Sequence, residues 1–269
     1  MTMPIDLILV RHGESEGNIA NKRSRAGDHK AFTEEFLLRP SSRWRLTNKG
    51  IFQAQTAGNW IKDNIGEKFD RYYVSECLRA METASYLQLE DAKWNVDFNL
   101  RERDFGDIDV ISDIEKQRKF GDELNNRERN PFFWVPPGGG ESLANLSLRL
   151  HKVLSTLCRE RGNKRVIIVS HGDVMWAFRV MIERMSQERF HQLYDSNHLY
   201  DKILNCQVLH YTRRNPFTNQ LMPYMYWMRS VCTTDLSFSK NKWELIVRPE
   251  YNNEDLLKEV EKETRMIVK

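Results

Sequence analysis

Apolar and polar positions along this chain follow two different periods. LILV (7–10), YYVS (72–75) and RVIIVS (165–170) are short apolar runs of the kind expected for strands covered on both faces. Elsewhere the apolar positions recur at helical spacing. LTNKG (46–50) opens one such stretch, with Thr47 able to cap it and Ile51, Ala54, Ala57, Gly58 and Ile61 sharing a face. Residues 142–161 form a long amphipathic pattern through Leu143, Leu146, Leu150, Val153, Leu154 and Leu157, and VMWAFRVMIERM (174–185) is another helix. Later, NCQVLHY (205–211), MYWMR (225–229) and WELIV (243–247) suit strands, and NNEDLLKEVEKE (252–263) suits a final helix. Strands alternating with helices of crossover length predict an α/β fold, a three-layer α/β/α sandwich with a mostly parallel central sheet. No repeat, low-complexity tract or linker interrupts residues 1–269, so a single domain is expected. Residues 19–45 and 107–141 lack periodicity and are rich in charge, Gly and Pro. They are expected as loops or short helices over the carboxyl ends of the strands, where ligands of such folds bind.

Two phrases at strand ends carry the chemistry. LVRHGES (9–15) and IVSHGD (168–173) each take a histidine and a glycine out of a β-branched run. A strand that ends in a sharp turn exposes its next side chain at the sheet edge, and glycine allows the backbone to approach a ligand. Arg11 next to His12 puts a planar guanidinium, which matches phosphate oxygens bidentately, beside an imidazole that its charge helps to keep neutral. The bland alternative is a surface turn, with Arg11 and Arg79 as salt-bridge partners. SECLRAMETA (75–84) places Arg79 in the first turn of a helix, and LRERDFGD (100–107) sets Glu102 between two arginines outside any regular helix. Ser15, Glu16, Gly17 and Asn18 are expected to complete a polar loop beyond His12.

The charge balance narrows the partners. Forty-one basic and 38 acidic residues give a net charge of +3, which does not point to a nucleic-acid protein. Cys77, Cys158, Cys206 and Cys232 are widely spaced, so reduced thiols are expected rather than disulfides or a zinc site. No apolar run approaches the roughly 18 residues of a membrane span. LILV is too short for a signal peptide, the sequon at Asn145 falls in a helical pattern, and a cytoplasmic location is expected.

RHGESEGN, LTNKGIFQAQ, SECLRAMETA, LRERDFGD, GGGES and VSHGD, in that order, resemble the histidine phosphatase superfamily in its phosphoglycerate-mutase-like branch. The likeness runs from about Leu7 to Leu209, and WELIV with the last helix resembles the family's ending. Residues 212–241 do not align and count, with 19–45 and 107–141, as insertions. The resemblance implies that His12 is the nucleophile that becomes phosphohistidine. It implies that Arg11, Arg79 and His171, with Gly172 alongside, surround the phosphate oxygens, and that Asn18 adds a neutral hydrogen bond. Glu102 would donate a proton to the leaving oxygen and then take one from water, with Glu14, Glu76 and Asp104 as neighbouring alternatives. No metal or other cofactor is required, because the arginines supply positive charge.

His29, His151, His191, His198 and His210 sit in no matching motif and are given ordinary surface or core roles. Trp134 in NPFFWVPP suits a leaving-group pocket or a packed lid. Lys116, Arg118, Lys119, Arg127 and Arg129, like Arg23 and Arg25, are potential anion contacts, with a solvated face preferred. RDFGD departs from the RHYG of phosphoglycerate mutases, which favours a phosphatase acting on a small phosphomonoester. A mutase and a non-catalytic phosphate-binding regulator are the alternatives. Neither nucleic acid nor membrane is expected as a partner, and the sequence does not fix the oligomeric state.

Overall fold

The computed structural model describes residues 2–239 and 241–267. In chain order, β1 (Asp6–Arg11) leads through α1 (Glu16–Arg25), α2 (Glu34–Leu38) and α3 (Asn48–Asn64) to β2 (Arg71–Val74). Next come α4 (Leu78–Tyr86), β3 (Trp94–Val96), α5 (Asp113–Arg129), α6 (Leu143–Glu160) and β4 (Arg165–Ser170). α7 (Gly172–Glu183), α8 (Gln187–Tyr194), β5 (Gln207–Thr212), β6 (Trp227–Cys232), β7 (Glu244–Leu245) and α9 (Asn253–Glu261) complete it.

The strands form one sheet in the order β3-β2-β4-β1-β5-β6-β7. β3, β2, β4 and β1 are parallel, which requires helical crossovers and so explains the helices on both faces. The expected sandwich is present, and β5, β6 and β7 extend its parallel half as an antiparallel half, making the sheet mixed. β1 shows why its apolar run is unbroken. Leu7 and Leu9 pack into the layer of α6 and α7, whereas Ile8 and Val10 pack into that of α3 and α4. A strand's side chains alternate between faces, so a strand with two covered faces has no polar positions to spare. All six apolar positions read from the α6 pattern are buried, and truncating one such as Leu150 to alanine costs about 2–5 kcal/mol.

Local chemistry sets the element ends. Thr47 caps α3 by accepting from Gly50 N, and Ser142 caps α6 through Asn145 N. The polar loop expected after His12 is instead the start of α1. Ser15 and Asn18 form a reciprocal capping box there, each side chain bonding the other's backbone N–H. Within residues 107–141 the chain forms α5, 17 residues long with a break at Phe120. β3 has no apolar run to announce it, because two of its three residues are exposed at the sheet edge.

Candidate active site

β1, β4 and β2 end side by side, and the segments just past their carboxyl ends converge. Arg11 pairs with Ser170 in the β1–β4 ladder, and His12 N extends that ladder by donating to Ser170 O at 2.9 Å. His171 is the residue before α7, and Arg79 lies in the first turn of α4. The two HG phrases therefore meet: the His12 and His171 rings lie 5.2 Å apart, nearly edge to face.

His12 is 2% exposed. Its Nδ1 lies 2.7 Å from Gly13 O, and its Nε2 lies 3.2 Å from Arg79 Nε. The carbonyl can only accept and the guanidinium can only donate, so the partners assign the proton to Nδ1 and a lone pair to Nε2. Burial first, then Arg79 and Arg11, holds His12 well below the ordinary imidazole range. His171 is held down the same way, by burial, then Arg79 and His12. Its Nε2 bonds Ser75 Oγ at 2.7 Å. Arg11 is anchored to Ile203 O at 2.6 Å and Arg79 to Ser41 O at 2.6 Å. Among the described residues, Arg11 Nε and His171 Nδ1 are buried without a hydrogen-bond partner. A buried polar atom without a partner costs about 1–3 kcal/mol, so two beside His12, among guanidinium groups, suit a place built for an oxyanion.

Gly13 corrects the sequence reading. A Cβ there would lie 2.4 Å from Gly50 O, so glycine is required by the close passage of α3 and not by a ligand. A Cβ on Gly172 would stand 3.6 Å from Arg11 Nε, an ordinary contact, and Gly172 lines the cleft at the N-terminus of α7. Asn18 also lines the cleft. Its Oδ1 accepts from Ser15 N at 3.2 Å and Asn205 Nδ2 at 3.1 Å, so its Nδ2 is left as a donor with no acceptor among the described residues.

Glu102 Oε1 accepts from Arg103 N at 3.0 Å, and its carboxyl is pushed up to about 7. Burial is the largest cause and Asp173 the next, opposed by Arg79 and Arg11. Of the alternative acids, Glu14 is turned toward Thr47 and Lys49, whereas Glu76 and Asp104 line the cleft. The cleft, about 1490 Å³, is also lined by Arg25, Lys116 and Arg127. Arg118 and Lys119 point outward and pair with Glu115. Trp134 is a packed element of the wall: it is 7% exposed, and its Nε1 donates to Glu123 O at 2.8 Å.

Several residues escaped the sequence reading. Asn205, Ser75 and Ser41 hold Asn18, His171 and Arg79; Asn205 and Ser75 stood in quoted stretches without being singled out, and Ser41 lay in the unpatterned residues 19–45. Arg103 and Asp173 stood inside quoted motifs. Arg103 is 3% exposed and donates to Glu141 O at 2.7 Å and Trp134 O at 3.0 Å. It also reaches Asp173 at 3.5 Å, and Tyr194 donates to Asp173 at 3.2 Å. Among the described residues, no group of three or more His, Cys, Asp and Glu is placed to hold a metal ion. No described helix is long and apolar enough to cross a membrane.

A neutral buried histidine among guanidinium groups, at the carboxyl ends of parallel strands, defines a phosphoryl-handling site. The model of the histidine phosphatase superfamily (branch 1) matches residues 7–204, and the chain belongs to that family, in which phosphohistidine chemistry is general. Over 192 residues it is 31% identical to a 2,3-bisphosphoglycerate-dependent phosphoglycerate mutase of Methylocella silvestris, covering 67% of this chain and 82% of the relative. Its fold matches the alpha-ribazole phosphatase from Shigella flexneri with a TM-score of 0.61, at 20% identity over 82% of this chain and 96% of that one. The phosphoserine phosphatase from Entamoeba histolytica, solved with 3-phosphoglyceric acid, matches with a TM-score of 0.55 at 24% identity, covering 79% of this chain and 92% of that one.

Proposed function

We propose that this protein is a phosphatase that hydrolyses small phosphomonoesters through a phosphohistidine on His12. The observation that carries the reading is the state of His12, whose Nε2 lone pair sits among the guanidinium and imidazole donors of Arg11, Arg79 and His171. His12 Nε2 attacks phosphorus while the P–O bond to the alcohol breaks, and Glu102 gives its proton to the departing oxygen. A carboxyl pushed up to about 7 still carries that proton near neutral pH. The resulting carboxylate then takes a proton from water as the water attacks phosphohistidine, releasing phosphate and restoring both residues. Arg11, Arg79, His171 and Asn18 Nδ2 supply donors to the oxygens in both steps.

Curated relatives named as mutases favour a second reading, in which the bound substrate takes the phosphoryl group back at another hydroxyl. RDFGD in place of RHYG, and a cleft of about 1490 Å³ with room for water, favour hydrolysis. The test is metal-free incubation with an aryl phosphate, and separately with 3-phosphoglycerate plus catalytic 2,3-bisphosphoglycerate, beside His12→Ala. Phosphate release that disappears in the variant supports the phosphatase. Isomerised phosphoglycerate with little free phosphate selects the mutase. No turnover, with phosphate binding retained, leaves the non-catalytic regulator.

A further inference from the structure

The wall of the cleft away from His12 holds cations that the proposed chemistry does not use. Arg25 is the last residue of α1, and Lys116 lies in the first turn of α5. Both line the cleft, and among the described residues neither side chain makes a hydrogen bond or an ion pair. Arg127 lines it too. Its guanidinium stacks 5.6 Å from the Trp134 ring and donates to Tyr194 Oη at 3.4 Å, with no carboxylate partner among the described residues. Arg118 and Lys119, on the outer face of the same helix, are both paired with Glu115. Two outward-facing cations of that helix thus share a carboxylate, whereas Lys116 and Arg127, which face the cleft, have none among the described residues.

That arrangement opposes itself electrostatically. Lys116 is held below its ordinary value by burial first and then by Arg25, with Arg127 adding to the repulsion. Asp113 and Asp109 offset part of it, yet neither forms an ion pair with these cations among the described residues. Like charges gathered on a partly sheltered wall are relieved by an anion between them. Position sets the span. Arg25 is seven residues along α1 from Asn18, roughly 10 Å at the helical rise. The cleft, at about 1490 Å³, exceeds the roughly 300–1,000 Å³ usual for small-molecule sites, so one ligand can reach both walls.

We propose that Arg25, Lys116 and Arg127 bind a second anionic group of the substrate. The preferred substrate is then a phosphomonoester with another phosphate or a carboxylate roughly 10 Å from the phosphate that His12 attacks. For turnover this inference rests on the phosphatase reading; for binding it stands alone.

Three esters separate the possibilities: hexyl phosphate, 1,6-hexanediol bisphosphate and 6-phosphohexanoate. The wild-type kcat/KM should favour at least one doubly anionic ester over hexyl phosphate by on the order of tenfold. Which one is favoured distinguishes phosphate from carboxylate. Arg25→Gln with Lys116→Gln should bring that ratio down by on the order of tenfold, and added salt should lower it too. Arg118→Gln, outside the cleft, should leave it alone. A wild-type ratio near one, or a ratio indifferent to the double substitution, overturns the proposal. If no ester is hydrolysed, the phosphatase reading fails and calorimetric titration with hexyl phosphate and hexanediol bisphosphate decides the subsite. Tighter binding of the bisphosphate that the double variant abolishes sustains it, whereas equal affinities reject it.

Discussion

The two ends of β1 each bury a histidine, and they treat it in opposite ways. At the amino end, His210 Nε2 donates to Asp6 Oδ1 at 3.1 Å, and Arg165 Nε reaches Asp6 Oδ2 at 3.1 Å. Burial alone would raise Asp6, but the His210 hydrogen bond and charge, with Thr212 and Arg165, hold it down at about 2. The Trp243 ring packs against His210 at 4.9 Å. At the carboxyl end, His12 and His171 have arginines for neighbours, and the nearby Glu102 is pushed up to about 7. All three imidazoles are held below their ordinary range, His210 included, chiefly by burial. Unpaired atoms alone do not separate the ends, since His210 Nδ1 also lacks a partner among the described residues. Charge does. One end matches its carboxylate with a guanidinium and an imidazole N–H and gains stability, whereas the other concentrates like charge at a stability cost that an oxyanion would relieve.

The largest effects should fall at the carboxyl end. His12→Ala removes the proposed nucleophile, and we expect kcat to fall by about 10⁴-fold or more with the melting temperature unchanged or raised. Steady-state kinetics and calorimetry on one preparation check both halves. A variant that unfolds would return His12 to a structural role. Glu102→Gln should cost about 10²–10⁴-fold on an alkyl phosphate and less on an aryl phosphate, whose leaving group needs little protonation. The stability sign is opposite. Glu102 is raised from 4.5 to about 7 in the fold, so its contribution is fully present below 4.5 and is lost as pH rises through 7. The glutamine variant should therefore gain on the wild type between those pH values and hold its lead above them. A constant difference in melting temperature across that range would count against a protonated Glu102.

The same contrast explains what the sequence made legible. Residues fixed by β1, β4 and the α4 start were readable, because a short apolar run followed at once by RHG, SHG or ECLR gives both the strand and its end. Asn18 was found through its motif although its helix was taken for a loop; a capping box is made of the same polar residues as a turn. Asn205 and Ser41 were not found, since each acts through a neighbour distant in sequence, His12 and Asn18 for one and Arg79 for the other. β3 and β7 escaped or shrank for a related reason. Edge strands of three and two residues bury too little to leave a pattern. The antiparallel half of the sheet followed from pairing choices that no local period encodes.

At the amino end the expected effects belong to stability. His210→Ala removes a buried ring and the hydrogen bond it gives Asp6, which should cost about 2–4 kcal/mol in urea unfolding at pH 7. Turnover per folded molecule should stay at the wild-type value, and a matching fall in kcat would dissolve the distinction between the ends. Asp6 supplies the pH signature. Its value is depressed from 3.8 to about 2, so the stability it contributes is present above 3.8 and lost as pH falls through 2. Asp6→Asn should therefore be the weaker protein at pH 7, and its deficit should shrink as both proteins are acidified.

The smallest expected effect asks which neighbour keeps the Glu102 proton in place. Burial is the largest cause, and Asp173 is the next. Asp173 is fixed by Tyr194 Oη at 3.2 Å and Arg103 Nη1 at 3.5 Å, so its charge has a defined position beside the cleft. Asp173→Asn removes that charge with little change of shape and lowers the affinity of Glu102 for its proton. In the proposed first half-reaction Glu102 must be protonated, so kcat/KM for an alkyl phosphate should decline as pH rises through about 7 in the wild type. The variant's decline should begin at lower pH. Burial remains, so the limb should not travel as far as the ordinary carboxylate value. The variant should thus approach wild-type activity at pH 5.5 and fall behind by pH 7.5. An unmoved limb would mean that burial alone holds the proton and that Asp173 serves only to position Arg103 and Tyr194.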